Sequence, residues 1–225
     1  MPPFCFFSYA LYGALAFLCM LFSPFAPAYA ACPQKIGEQP IVSIQINIGQ
    51  PRYHFVSRRT IAREQQGPFA TDQHTTGLFT GTLAWEFSFA TNTLYDGVGA
   101  SCTYLQGVVL EITAPALDIY IDHQYSQGSC EYNEILTHEN QHYFHFMQAI
   151  RDNIPALETA LRTASLQNYM FYGATPQSNM EKFSAALQPY VDVSMKRIKI
   201  RREKWDALMD SPENYAATTK RCNNW

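Results

Sequence analysis

Near Gly128 the hydrophobic period of the chain changes, and that change excludes most architectures. Before it, Ile44, Ile46 and Ile48 are separated by Gln45 and Asn47, and Leu83, Trp85, Phe87 and Phe89 by Ala84, Glu86 and Ser88. A period of two sends alternate side chains to opposite faces of a pleated strand, so both segments predict half-buried strands. Val108, Leu110 and Ile112 repeat the pattern, Ile119 and Ile121 give a shorter one, and Gly77, Gly81, Gly97, Gly99 and Pro115 punctuate the connections. After Gly128, Tyr132, Ile135, Leu136, Tyr143, Phe146, Met147 and Ile150 recur at helical spacing. With Ser129 as N-cap and Glu131 in the first turn, they predict a helix over about 130–152. Asn153 and Pro155 are expected to break it, leaving a second helix from Pro155 to about Gln167. A third is expected from about Ser178 to Met209, its apolar stripe being Leu187, Val191, Met195, Ile198, Trp205 and Met209.

Strands followed by helices predict an α+β fold with a mostly antiparallel amino-terminal sheet over 31–125 and carboxy-terminal helices over 126–225. One domain covers 31–225. Hydrophobic residues are 47% of the chain, aromatic residues 14% and charged residues only 16%, so this span can bury a proper core. A net charge of −3 and a pI near 6.1 remove the electrostatic case for nucleic acid as a partner.

Residues 1–30 read as a signal peptide. Phe4 to Phe22 is almost wholly apolar, and Ser23-Pro24 and the small-x-small run Ala28-Tyr29-Ala30 follow, placing the mature start at Ala31. The chain has no Lys or Arg before Lys35 to form the usual positive n-region. A permanent anchor is the alternative, and a membrane is then a partner only through this uncleaved segment. Lipidation at Cys32 is disfavoured, since Tyr29 stands where a Leu is wanted. Cys5 and Cys19 leave with the signal, and the remaining Cys32, Cys102, Cys130 and Cys222 are expected to form disulfides in an exported, periplasmic or secreted protein. The preferred pairing is Cys102 with Cys130 and Cys32 with Cys222. No two cysteines have C-x2-C spacing, which argues against a zinc cluster built from them.

The chemistry lies in His138-Glu139-Asn140-Gln141-His142. On a helix, residues i and i+4 share a face one turn apart, so the two imidazoles can point at one ion. Glu139 projects beside that ion, where a carboxylate can take a proton from water and hand it to a leaving amine. This is the logic of the zincin-like H-E-x-x-H helix, and it predicts Zn2+ as cofactor with a peptide or protein as substrate. The plain alternative is two histidines on a helix that happens to carry a Glu.

Around the motif, Gly81-Thr82-Leu83-Ala84-Trp85-Glu86-Phe87, Cys102, Val109-Leu110-Glu111-Ile112-Thr113 and Thr137 to His142 resemble a bacterial family of predicted secreted zinc-dependent proteases, a domain of unknown function carrying H-E-x-x-H. The resemblance spans about residues 80–150 and implies zinc-dependent peptide hydrolysis. The family pattern closes with an aromatic-Asp pair followed shortly by His-Gly. Here Trp205-Asp206 is present, but Ser211-Pro212 replaces His-Gly.

A catalytic zinc needs a third protein ligand. His145 shares the stripe but lies about 10 Å along a straight helix from His138, and reads as packing or a supporting contact. Gln148 stands where a third zincin His would be. Glu158, sixteen residues after His142, is the leading candidate, with Glu181 and Asp206 as alternatives. The run Lys196, Arg197, Lys199, Arg201, Arg202 and Lys204 reads as the solvated face of a helix, and Tyr143, Tyr169 and Tyr172 are unranked oxyanion candidates. The expected function is an exported zinc metallopeptidase with Glu139 as general base and acid. The alternatives are a non-catalytic envelope binding or structural protein, and a zinc amidase acting on cell-wall peptides.

Overall fold

The computed structural model describes residues 32–33, 39–65, 75–97 and 99–225, so the expected signal peptide lies outside the described residues. Contacts group the chain into Met1–Lys35 and Ile36–Trp225, and the fold that follows is that of the second unit.

Strands β1 (Ile41–Asn47), β2 (Arg52–Val56), β3 (Gly77–Tyr95) and β4 (Ser101–Asp122) precede helix α2 (Cys130–Gln167), with a short helix α1 (Arg58–Glu64) between β2 and β3. Strand β5 (Met170–Gly173), helix α3 (Pro176–Met209) and helix α4 (Pro212–Thr219) follow. The α+β order is as expected, but the sheet is a mixed one. β4 is its centre. β3 lies antiparallel along one edge of β4, while β5, β1 and β2 share the other edge, β5 antiparallel and β1 and β2 parallel. Alternation fixes which face of a strand is buried and leaves the direction of its neighbour open, so the parallel pairings were not legible in it. Ile41 pairs with Gly107 and Arg52 with Asp118, a single register, so β1 and β2 are one strand interrupted around Gly49 and Pro51.

Expected as two strands with Pro115 between them, 108–112 and 119–121 are one strand. Pro115 falls where β1 has ended at Thr113 and β2 has not begun at Asp118, so its missing N–H costs no ladder bond on that edge. On the other edge the register against β3 shifts between Thr82 and Ala84, and again between Ala90 and Thr91. An extra residue in β4 at each bulge reverses the parity of inward positions. Leu105, then Val108, Leu110 and Ile112, then Leu117, Ile119 and Ile121 therefore all face the core.

Helices α2 and α3 cover that face. Leu157, Leu161 and Ala164 of α2 and Phe183, Leu187 and Val191 of α3 pack with Val108, Leu110 and Ile112. Ile135, Phe146 and Ile150 of α2 and Ile198 of α3 pack with Ile119 and Ile121. The predicted break at Pro155 does not occur. Pro155 sits on the exposed side of α2, where water can satisfy the carbonyl it strips of a partner, and the buried Asn153 side chain donates to Ala149 O at 2.7 Å. The expected second helix is therefore the second half of α2.

The disulfide pairing also differs from expectation. Cys130 at the start of α2 is bonded to Cys222, and Cys32 and Cys102 are also disulfide-bonded. Whether Cys222 meets Cys32, as expected, or Cys130 of α2 is a tertiary matter that cysteine spacing does not encode. Arg221 with Glu134 at 2.9 Å and Asn224 N–H with Glu131 at 2.8 Å hold the same tail on the first turns of α2, and Trp225 packs against Tyr125 in the connection before it. Among the described residues no helix is long and apolar enough to cross a membrane.

Candidate metal centre

Ser129 caps α2 by accepting from the Tyr132 N–H, and two turns later the helix presents His138, Glu139 and His142. Its neighbour α3 runs past in the opposite sense, so the last turn of α3 and its C-cap residue Asp210 arrive beside the two histidines. His138 Nε2 lies 3.0 Å from Asp210 Oδ1, His142 Nε2 lies 3.1 Å from the same oxygen, and the two Nε2 atoms are 3.1 Å apart. These residues form a group able to hold a metal ion. Atoms bonded at about 2.0–2.1 Å to one ion sit roughly 2.9–3.4 Å from each other in octahedral to tetrahedral shells, and this triangle falls in that range. Two imidazoles and one carboxylate are an ordinary donor set for such an ion.

Asp206, one turn before Asp210, accepts from His142 Nδ1 at 2.7 Å, which turns Nε2 toward the triangle. Its second oxygen takes Arg202 Nε at 3.2 Å, and Arg202 also donates to the Gly81 carbonyl of β3 at 2.8 Å, its guanidinium lying over the rings of Phe79 and Phe146. A chain of contacts thus runs from His142 through Asp206 and Arg202 to the sheet. On the solvent side, Tyr215 of α4 donates to Asp210 Oδ1 at 3.2 Å, and its ring leans on that of His138.

Glu139 is buried at 5% exposure against the start of β3 and accepts the Phe79 N–H. Burial raises its pKa to about 7, the electrostatic influence of His142 and His138 offsetting only part of the effect. Burial acts the other way on His142, but the Asp206 and Asp210 carboxylates outweigh it and raise that imidazole to about 10. Burial pushes Asp210 up as well, yet hydrogen bonds from His138 and His142 hold it well below the usual carboxylate range.

The structure brings together His138, His142 and Glu139 as the motif requires, and places Asp206 behind His142, outside the triangle. It does not bring Glu158 or Glu181 there. Because α2 continues through Pro155, Glu158 lies about 24 Å further along the same helix than His142, where it is paired with Arg162 at 2.5 Å. Glu181 is exposed near the start of α3, about 37 Å along that helix from Asp206. Asp210 was missed. The signal available for it was the C-terminal turn of α3, with a second carboxylate at i+4 from Asp206. His145 stands outside the triangle, stacked on Trp205.

Set against protein-family models, curated proteins and solved structures, the chain matches none.

Proposed function

We propose that the protein is an exported zinc-dependent peptidase in which His138, His142 and Asp210 hold the ion and Glu139 moves the proton. The observation that carries the reading is the convergence of three donor atoms within 3.1 Å of one another, with a buried carboxyl group on the adjacent helix position. Zinc, when bound, supplies Lewis acidity, polarising a scissile carbonyl and making water a stronger acid near neutral pH. Glu139, held in place by the Phe79 N–H, accepts the proton of the attacking water and returns it to the leaving nitrogen. Asp206 keeps the His142 ring turned with Nε2 toward the triangle, and Arg202 fixes Asp206 against β3. Support also comes from the family resemblance. Asp210 stands immediately before Ser211, which occupies the place of the family's histidine, and supplies a donor where that one is missing. Disulfide-bonded cysteines fit an oxidising compartment outside the cytosol.

The test is hydrolysis of a peptide mixture by zinc-loaded protein beside Glu139→Gln. Loss of the general base is expected to lower turnover by about 10²–10⁴-fold with zinc content unchanged. Equal activity in the two proteins, or none in either, contradicts the proposal.

A further inference from the structure

On α3 the usual arrangement is inverted. Arg202 occupies the inward position, over two phenylalanine rings, whereas Trp205, expected in the apolar stripe, is 38% exposed and stacks on His145 of α2 at 4.8 Å between ring centroids. Trp205 is not alone. Phe144 and Leu208 stand 56% and 57% exposed, and all three line one open groove of about 730 Å³ between α2, α3 and α4. Large apolar side chains gathered in a groove at the surface mark a binding site more often than chance placement.

Two observations locate that groove against the metal triangle. Gln141 and His145, on its α2 wall, interleave with His138 and His142 in the sequence, and by helical geometry Gln141 lies about 60° around the axis from His138, on the side away from Glu139. On the other wall, Met209 and Ser211 flank Asp210. The groove is thus walled by sequence neighbours of the three donor residues, although His138, His142 and Asp210 do not themselves line it. The Gln141 amide, which can pair with the main chain of an extended peptide, lines the groove with Ser211 and Glu213, while Asn214 is held by its own donation to Met209 O at 2.7 Å and the walls offer rings and aliphatic carbon.

From this we infer that the groove is the specificity pocket of the site, taking a large apolar or aromatic side chain next to the scissile bond. Its occupant is an extended peptide carrying Phe, Tyr, Leu or Met. This rests on the peptidase reading for the word scissile, and on the groove alone for the side chain.

The experiment measures binding and turnover separately. Anisotropy titrations use zinc-loaded Glu139→Gln protein and two labelled hexapeptides that differ only in Phe or Ala at the central position. The Phe peptide is expected to bind about tenfold or more tightly. Leu208→Ser and, independently, Phe144→Ser should bring the two peptides to within about twofold with zinc content retained, because both side chains are exposed and neither supports the core. Equal binding of the two peptides by Glu139→Gln protein, or a preference that survives both substitutions, overturns the inference. Turnover by the unsubstituted protein is then assayed on the same pair. Preferential binding without cleavage upholds the pocket and removes the peptidase reading; cleavage without preference does the reverse.

Discussion

Gly77 opens β3 against the candidate general base, and a methyl group there meets an immediate obstacle. A Cβ built at Gly77 would stand 2.5 Å from Glu139 Oε1 and 2.7 Å from Ile135 Cγ2. Ile135 is 4% exposed and Glu139 5%, so neither side chain can swing into solvent, and the Phe79 N–H that Glu139 accepts resists its retreat. Overpacking of this kind costs about 1–3 kcal/mol. At roughly 2–4 °C per kcal/mol for a domain of this size, Gly77→Ala should lower the melting midpoint by about 2–12 °C. The same displacement should cost activity while sparing the metal, because the three donors stand on α2 and at the end of α3. Scanning calorimetry, zinc content and kcat/KM on one preparation give all three readouts. A double mutant sharpens the test. With Glu139→Ala already present, the worst contact is gone, and the destabilisation by Gly77→Ala should shrink by about 1 kcal/mol. A midpoint within about 1 °C of the parent, or a cost independent of residue 139, would refute the placement of Glu139 against β3.

Asp206→Asn removes the carboxylate behind His142 and should weaken zinc by about 10–100-fold in a chelator competition, undiminished affinity being contrary to its role. Replacing Cys130 and Cys222 by serine opens a link spanning 92 residues and should cost about 2–5 kcal/mol in denaturant titration, a value near zero being contrary to the structure. In metal-free protein the His142 imidazole, lowered by burial but raised further by Asp206 and Asp210, holds its proton up to about pH 10. Zinc must displace that proton, so the apparent affinity should rise about tenfold per pH unit between roughly pH 7 and 10; a flat profile contradicts the assignment. Without metal the sign for stability is opposite. The raised value stabilises the fold fully below about pH 6.5, and that contribution is lost as pH rises through about 10.

What could be read from the sequence was whatever has a local period. His138 and His142 are four residues apart on a segment whose apolar spacing, N-cap and first-turn carboxylate all specify a helix, so their common face followed from Ser129 to Ile150 alone. The strand positions in β3 and β4 were legible for the same reason. Asp210 was not, because it lies 68 residues from His142 and reaches it only through the antiparallel crossing of α3 over α2. Glu158 could join the histidines only if Pro155 turned the chain. A proline on the solvent side of a long helix loses one bond to water, and burial of Leu157 and Leu161 holds α2 straight enough to carry Glu158 away from the site. The partner of Cys222 and the parallel seat of β1 are likewise long-range choices with no periodic trace.

Zinc binding by the Asp210 triangle is the claim on which the rest depends. The measurement is zinc per molecule, with affinity by chelator competition, for the unsubstituted protein, Asp210→Ala and Glu158→Ala. About one zinc in the parent and in Glu158→Ala, with affinity lowered about a hundredfold or more in Asp210→Ala, is the predicted result. No zinc in the parent, or undiminished affinity in Asp210→Ala, contradicts it.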